Sequence, residues 1–245
     1  MPSMIGTSSA RPAPEGPTIV PIVFVHGTRT SSAIWSAQIA AMTRSGHRSL
    51  ALDLPGHGTR SAERFTMAGA LTAIDDAVGS FDVPPLLVGL SLGGYSALAY
   101  AARNDGKVAG VMVSGCSTEP RGKPLAAYRH LSTRAARLLR PGGGTWHVVA
   151  DMLAAMTGHS ALADLRRLLV PVWLVNGQHD ILRLEERRYL AALPGTRLTV
   201  VRGAGHDVNS HAPEAFNRLL LGALRELRAA AELVVAPMAL AGARG

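Results

Sequence analysis

The sequence predicts an α/β fold: a doubly wound, mostly parallel sheet with a helical cap insertion. Three observations carry this prediction. Short apolar or β-branched runs alternate with longer Ala-rich segments of helical period. The stretch Gly89-Leu90-Ser91-Leu92-Gly93-Gly94 stands between one such run and one such segment. Polar residues suited to reaction chemistry fall just after four of the predicted strands, where open α/β sheets bind ligands.

The elements follow in order. Residues 1–17 carry Pro2, Pro12, Pro14 and Pro17 among small polar residues and read as a disordered leader. Thr18 to Val25 is β-branched and reads as a buried strand with Pro21 near its start, broken by His26-Gly27. Ala33 to Ser45 has helical spacing and stops at Gly46. Arg48 to Leu54 is the second strand and runs into Pro55-Gly56-His57-Gly58, a turn by composition. Residues 66–80 read as a helix, Leu86 to Leu90 as the third strand, 92–103 as a helix and Val108 to Ser114 as the fourth strand. Val170 to Asn176 and Arg197 to Arg202 are the fifth and sixth strands, with Leu184 to Leu193 a helix between them. Pro213 to Ala231 reads as a long helix, and residues 232–245 as a flexible tail.

One connection breaks the rhythm. Between residues 115 and 169 no convincing strand is visible, and residues 123–140, 145–157 and 160–169 each have helical character. A connection of that length is far beyond the usual βα loop. A helical cap over residues 116–168, set on a core of 18–115 and 169–231, accounts for it.

Composition narrows the function classes. The chain has 245 residues, enough to bury about 70–75% of its unfolded surface. Its formal charge is +8, but 23 of the 25 basic residues are arginines spread along the chain and aromatic residues are few. That pattern fits a coding bias better than nucleic-acid binding. Cys116 is the only cysteine, which removes intrachain disulfides and thiolate metal clusters. No secretory leader and no apolar run of membrane-spanning length is visible, so the expectation is a cytoplasmic protein without membrane or nucleic-acid partners. Histidine spacing offers no metal site, and no cofactor is expected.

The chemistry begins at Ser91. A serine on a tight strand-to-helix turn is lifted clear of the sheet, and Gly89 and Gly93 relieve crowding there. The backbone N–H of Leu92 then faces the developing oxyanion. A serine needs a base and an orienting acid. His206 follows the sixth strand in Gly203-Ala204-Gly205-His206, and Asp180 follows the fifth in Asn176-Gly177-Gln178-His179-Asp180.

With His26-Gly27 and Trp35, Asp53-Leu54-Pro55-Gly56-His57-Gly58, the Gly89 to Gly94 stretch, Asn176 to Asp180 and Gly205-His206 together, the chain resembles the α/β-hydrolase fold family over about residues 18–230. The resemblance is to its compact single-domain serine hydrolases with a short cap. The order Ser91, Asp180, His206 is that family's order. The resemblance implies Ser91 as nucleophile, His206 as base, Asp180 as its orienting acid, and Thr28 as the second oxyanion donor beside Leu92. It implies no cofactor. Family members often begin with a β-hairpin, and only 17 residues precede the first strand here, so the hairpin is expected to be reduced or missing.

Rivals exist for each role. Glu119, five residues past Ser114, competes with Asp180, because some members carry the acid after that strand. His26 is expected to shape the oxyanion loop, and His57 reads as a structural turn residue. His179 and Asp207 read as loop residues, His211 as a helix start and His47 as surface. His130, His147 and His159 lie in the cap, where Trp146 and His147 are candidate pocket residues. Met152 and Met156 either line that pocket or pack the cap. Cys116 reads as a small buried residue. The expected substrate is a small carboxylic ester, lactone or thioester. C–C bond hydrolysis, a lyase or cyclase reaction and a receptor-like pseudoenzyme remain open on the same scaffold. Between residues 119 and 167 eight cationic side chains face three carboxylates, which either steers anionic substrates or is a solvated face.

Overall fold

A computed structural model describes residues 19–121 and 146–242, with side chains for 19–121 and 147–233. The leader, the expected helix over 123–140 with Lys123, Arg129, His130, Arg134, Arg137 and Arg140, and the Trp146 side chain lie outside the described residues.

Six strands form one sheet: β1 (Ile22–Val25), β2 (Ser49–Leu52), β3 (Leu86–Leu90), β4 (Gly110–Ser114), β5 (Val172–Gly177) and β6 (Arg197–Val201). Their order is β2-β1-β3-β4-β5-β6, and every neighbouring pair is parallel. Strand order therefore reverses direction at β1 and β3, and the loops leaving those strands diverge into a crevice. Parallel strands covered on both faces should be apolar throughout, and β1 (I-V-F-V) and β3 (L-L-V-G-L) are fully buried.

Alternation along the strands sorts the core into two layers. Val23, Val25, Leu87, Val111, Val113, Val172 and Leu174 face one layer; Ile22, Phe24, Leu86, Val88, Met112, Trp173 and Val175 face the other. The first layer is covered by α2 (Met67–Gly79), α3 (Leu92–Ala101), α5 (Ala161–Leu165) and α6 (Glu186–Ala192). The second is covered by α1 (Ser36–Arg44) and α8 (Pro213–Gly242). Trp35 joins them, stacked on Phe24 at 4.9 Å and tilted against Phe216 at 5.7 Å. The remaining described α-helices are α4 (Trp146–Met156), in the insert between β4 and β5, and the single-turn α7 (Val208–His211) before α8.

Local chemistry sets the helix starts. Thr66 caps α2 by accepting from Gly69 N–H at 3.0 Å, and Ser160 caps α5 by accepting from Ala163 N–H at 3.1 Å. The expected helix over 33–45 is split. A 3-10 turn at Ser32–Trp35 precedes α1, because Asp53 Oδ1 accepts the Ser32 N–H at 2.7 Å and fixes the entry. The last helix also runs on past Ala231 to Gly242, through Pro237, with Arg228 and Glu232 paired one turn apart at 2.8 Å. No helix among the described residues is long and apolar enough to cross a membrane.

Candidate active site

Ser91 joins β3 to α3 with φ 53° and ψ −115°, one of two non-glycine residues at positive φ among those described. Such strain persists only when the surroundings impose it. Here they do. A Cβ on Gly89 would lie 2.4 Å from the Gly93 carbonyl oxygen, and one on Gly93 would lie 2.2 Å from the Val25 oxygen. Ser91 N–H donates to Ser114 O at 2.7 Å, and Tyr95 N–H closes the first turn on Ser91 O at 3.1 Å. The helix then leaves the Leu92 N–H pointing out of its N-terminus, with no acceptor among the described residues.

Asp180 and His206 meet 26 residues apart in sequence. His206 Nδ1 lies 3.0 Å from Asp180 Oδ1. A carboxylate only accepts, so Nδ1 carries a proton, and in the neutral ring Nε2 keeps its lone pair. Asp180 Oδ1 also accepts from Leu182 N–H at 2.8 Å. Burial opposes the Asp180 charge, but these two hydrogen bonds and the neighbouring cations outweigh it and hold the carboxyl below its usual range. The same bond raises His206 above 6.5, against the opposing effect of its partial burial. No hydrogen bond links Ser91 Oγ to His206 among the described residues. The two approach through Ser114-Gly115: Ser91 is bonded to Ser114 O, and the His206 ring rests on Gly115.

The loops beneath this pair are tightly tied. A Cβ on Gly177 would stand 2.0 Å from Gly205 O, so β5 and the 203–206 loop touch backbone to backbone. His179 N–H donates to Ala204 O at 2.9 Å, Gln178 Oε1 accepts from Gly203 N–H at 3.0 Å, and His211 Nδ1 accepts from Gly205 N–H at 3.1 Å. His211 is thus a support of the His206 loop rather than a helix start. Asn176, fully buried, accepts from Gly115 N–H at 3.4 Å and donates to Ser117 Oγ at 2.9 Å and Glu186 Oε1 at 2.8 Å.

On the other side of β3 lies the loop after β1. His26 is fully buried; its Nε2 accepts from Leu54 N–H at 3.0 Å, so Nδ1 donates to Gly27 O at 2.8 Å. Burial, with the nearby His57, lowers its pKa to about 4 despite the Gly27 bond and Asp53. It is a neutral strut. A Cβ on Gly27 would lie 3.3 Å from Ser91 Cβ, which brings this loop beside the elbow. Thr28 comes next. Its N–H has no acceptor among the described residues, and its hydroxyl donates to Met152 Sδ at 2.9 Å.

The rivals separate on geometry. Glu119 is buried away from His206: Oε2 accepts from Leu162 N–H at 2.9 Å and Oε1 from Arg121 N–H at 3.3 Å, so it caps α5. Cys116 is fully buried and desolvation drives its thiol pKa upward, leaving it protonated against Gly94. His57 donates Nδ1–H to Pro55 O at 3.0 Å and lies edge-on to His26 at 4.9 Å. His147 is half-buried on α4 and lies near enough to His57 to disfavour its charge. Met156 is buried in the core, whereas Met152 stays half-buried above Thr28. Of the basic insert residues, Arg121, Arg166 and Arg167 are exposed. Only the folded chain brings Gly115 to the His206 ring and His211 to its loop, and Asn176 of the Asn176–Asp180 motif supports Gly115 there.

A parallel sheet reversing at β1 and β3, with a strained serine at that point and a His–Asp pair at the same end, defines an α/β-hydrolase type of protein. The profile of the alpha/beta hydrolase family matches residues 22–219, and the chain belongs to that family. It is 26% identical over 230 residues to the putative protein-lysine deacylase ABHD14B of Rattus norvegicus, covering 89% of each. It is 26% identical over 212 residues to protein ABHD14A of Mus musculus, covering 84% of this chain and 70% of that one. The structure of a thermophilic esterase from Thermogutta terrifontis superposes with a TM-score of 0.73 at 22% identity, over 86% of this chain and 91% of that one.

Proposed function

We propose that the chain is a serine hydrolase that cleaves a small carboxylic ester, lactone or thioester through an acyl-enzyme on Ser91. The observation that carries this reading is the strained Ser91 elbow (φ 53°) at the sheet end that also holds the Asp180–His206 hydrogen bond of 3.0 Å.

In this reaction His206 Nε2 removes the Ser91 hydroxyl proton as Oγ attacks the substrate carbonyl. Asp180 holds the Nδ1–H tautomer and stabilises the imidazolium without taking the proton. The oxyanion is bound by the N–H groups of Leu92 and Thr28; one such donor is worth about 2.7–4 kcal/mol in the transition state. The carbonyl then re-forms, the C–O or C–S bond breaks, and the imidazolium protonates the leaving group. Water, deprotonated by His206, hydrolyses the ester on Ser91 by the same route. Protein-lysine deacylation, named for the ABHD14B relative, is acyl transfer too. An acyl-lysine peptide therefore belongs in the substrate panel.

The test is a fluorophosphonate probe on folded protein, with Ser91→Ala as control, followed by a series of p-nitrophenyl esters. The expected result is stoichiometric labelling at Ser91 and an initial burst of p-nitrophenol, both lost in Ser91→Ala. Folded protein that takes no label at Ser91 contradicts the proposal.

A further inference from the structure

We propose that Met152 sets the length of acyl group the enzyme accepts, restricting it to short chains; this rests on the serine hydrolase reading above. The argument starts from the two sides of β3. Asp180 and His206 follow β5 and β6 on one side, and Thr28 follows β1 on the other. A leaving group must lie within reach of His206 to receive its proton. The substituent that stays on the carbonyl therefore extends the other way, past Thr28.

What it meets there is α4. His147, Val148, Asp151 and Met152 share one face of that helix by their spacing. Thr28 Oγ1 donates to Met152 Sδ at 2.9 Å, so the thioether rests on the residue that borders the oxyanion. Val148, Leu153 and Met156 of the same helix are buried, whereas Met152 is partly exposed, packed against the edge of the same core. The helix is also held down. Arg64 binds Asp151 through both guanidinium and carboxylate edges, with Nε 2.6 Å from Oδ2, and Val148 Cγ2 would be 3.0 Å from a Cβ on Gly56. Because α4 is tied to the 53–65 turn through Val148 and Asp151, within one turn of Met152, lengthening the acyl chain must displace the Met152 side chain rather than the helix. A thioether on three rotatable bonds yields gradually, so the length limit is graded rather than a sharp cut-off.

The experiment measures kcat/KM of the full chain for p-nitrophenyl acetate, butanoate and octanoate. Met152→Ala is expected to raise the octanoate-to-acetate ratio about tenfold or more, the scale of one or two methylenes admitted to an apolar pocket. Met152→Phe is expected to lower the ratio by a similar factor. Loss of the Thr28 contact alone would slow all three esters together and leave the ratio where it was. Ratios within about twofold of the parent in both variants, with Ser91 still labelled by fluorophosphonate, overturn the inference alone. Should Met152→Ala lose labelling through misfolding, the Phe variant decides by itself. A parent protein that takes no label at Ser91 overturns the hydrolase reading and this inference with it.

Discussion

Gly115 lies so close to His206 that a Cβ on it would stand 2.8 Å from the ring Cε1 and 3.0 Å from Nδ1. Its φ of +64° is also one that side chains other than glycine's rarely adopt. Gly115→Ala should therefore push the imidazole off Asp180 while leaving Ser91 in place. Displacements of about 1 Å can cost about 10²-fold in rate, and that is the expected fall in kcat/KM. Stability should drop by about 1–3 kcal/mol from the strained backbone. Ester turnover and urea unfolding check both; wild-type turnover would show that the ring position does not matter.

Asp180 and Glu119 should part company under isosteric substitution. Asp180→Asn can leave the imidazole in the wrong tautomer, and the expected loss is about 10⁴-fold in kcat. Glu119→Gln keeps an acceptor for Leu162 N–H and should turn over within a few-fold of the parent. Glu119→Ala frees two backbone donors and should cost about 1–2 kcal/mol of stability instead. A large loss of rate in Glu119→Gln, with normal unfolding, would move the acid to Glu119.

The acid limb of kcat/KM should report His206. Its folded pKa lies above 6.5, so activity rises with pH through a midpoint above 6.5 as Nε2 loses its proton. The stability it contributes runs the other way: complete below pH 6.5, and withdrawn as pH rises through the raised value. In Asp180→Asn the carboxylate no longer holds the charge, and the midpoint of the residual activity should move to lower pH. A pH–rate profile on both proteins tests this, and an unmoved midpoint contradicts the assignment.

His26 makes the opposite contribution to stability. Its folded pKa of about 4 lies below 6.5, so between those values the unfolded chain binds a proton that the folded chain does not. Stability must then rise with pH from about 4 to 6.5, with a slope for this group approaching about 1.4 kcal/mol per pH unit. Urea midpoints across that range should show the rise, and His26→Gln should flatten it while lowering stability throughout. Equal slopes in the two proteins would show that His26 titrates normally.

What the sequence disclosed depended on how local each signal was. The Ser91 turn is contiguous, and its glycines are spelled out within six residues. The strand ends before Asp180 and His206 could be read from alternation and turn composition, but their 3.0 Å contact needed the sheet. Glu119 could not be set aside from spacing alone; its carboxylate is occupied by the N–H groups of Arg121 and of Leu162 in α5, an element with only five residues to announce it. Gly115 carries no signal at all, since one glycine after a strand is ordinary until a ring is laid on it. The split at Ser32–Trp35 was hidden for a similar reason, because Asp53, which fixes it, lies on a different strand end.

The close approach of Gly93 to the Val25 carbonyl has a consequence for what labelling reads. The backbone that strains Ser91 is held from β1 as well as from its own hairpin of strand and helix. Part of the constraint on Ser91 is therefore non-local, present only where β1 is paired with β3. Without β1 beside β3, only the Gly89–Gly93 packing and the Ser114 hydrogen bond would be left to hold the unfavourable φ. Because the proposed base and acid follow β6 and β5, far along the chain from the elbow, probe labelling at Ser91 would report finished tertiary structure rather than the local turn.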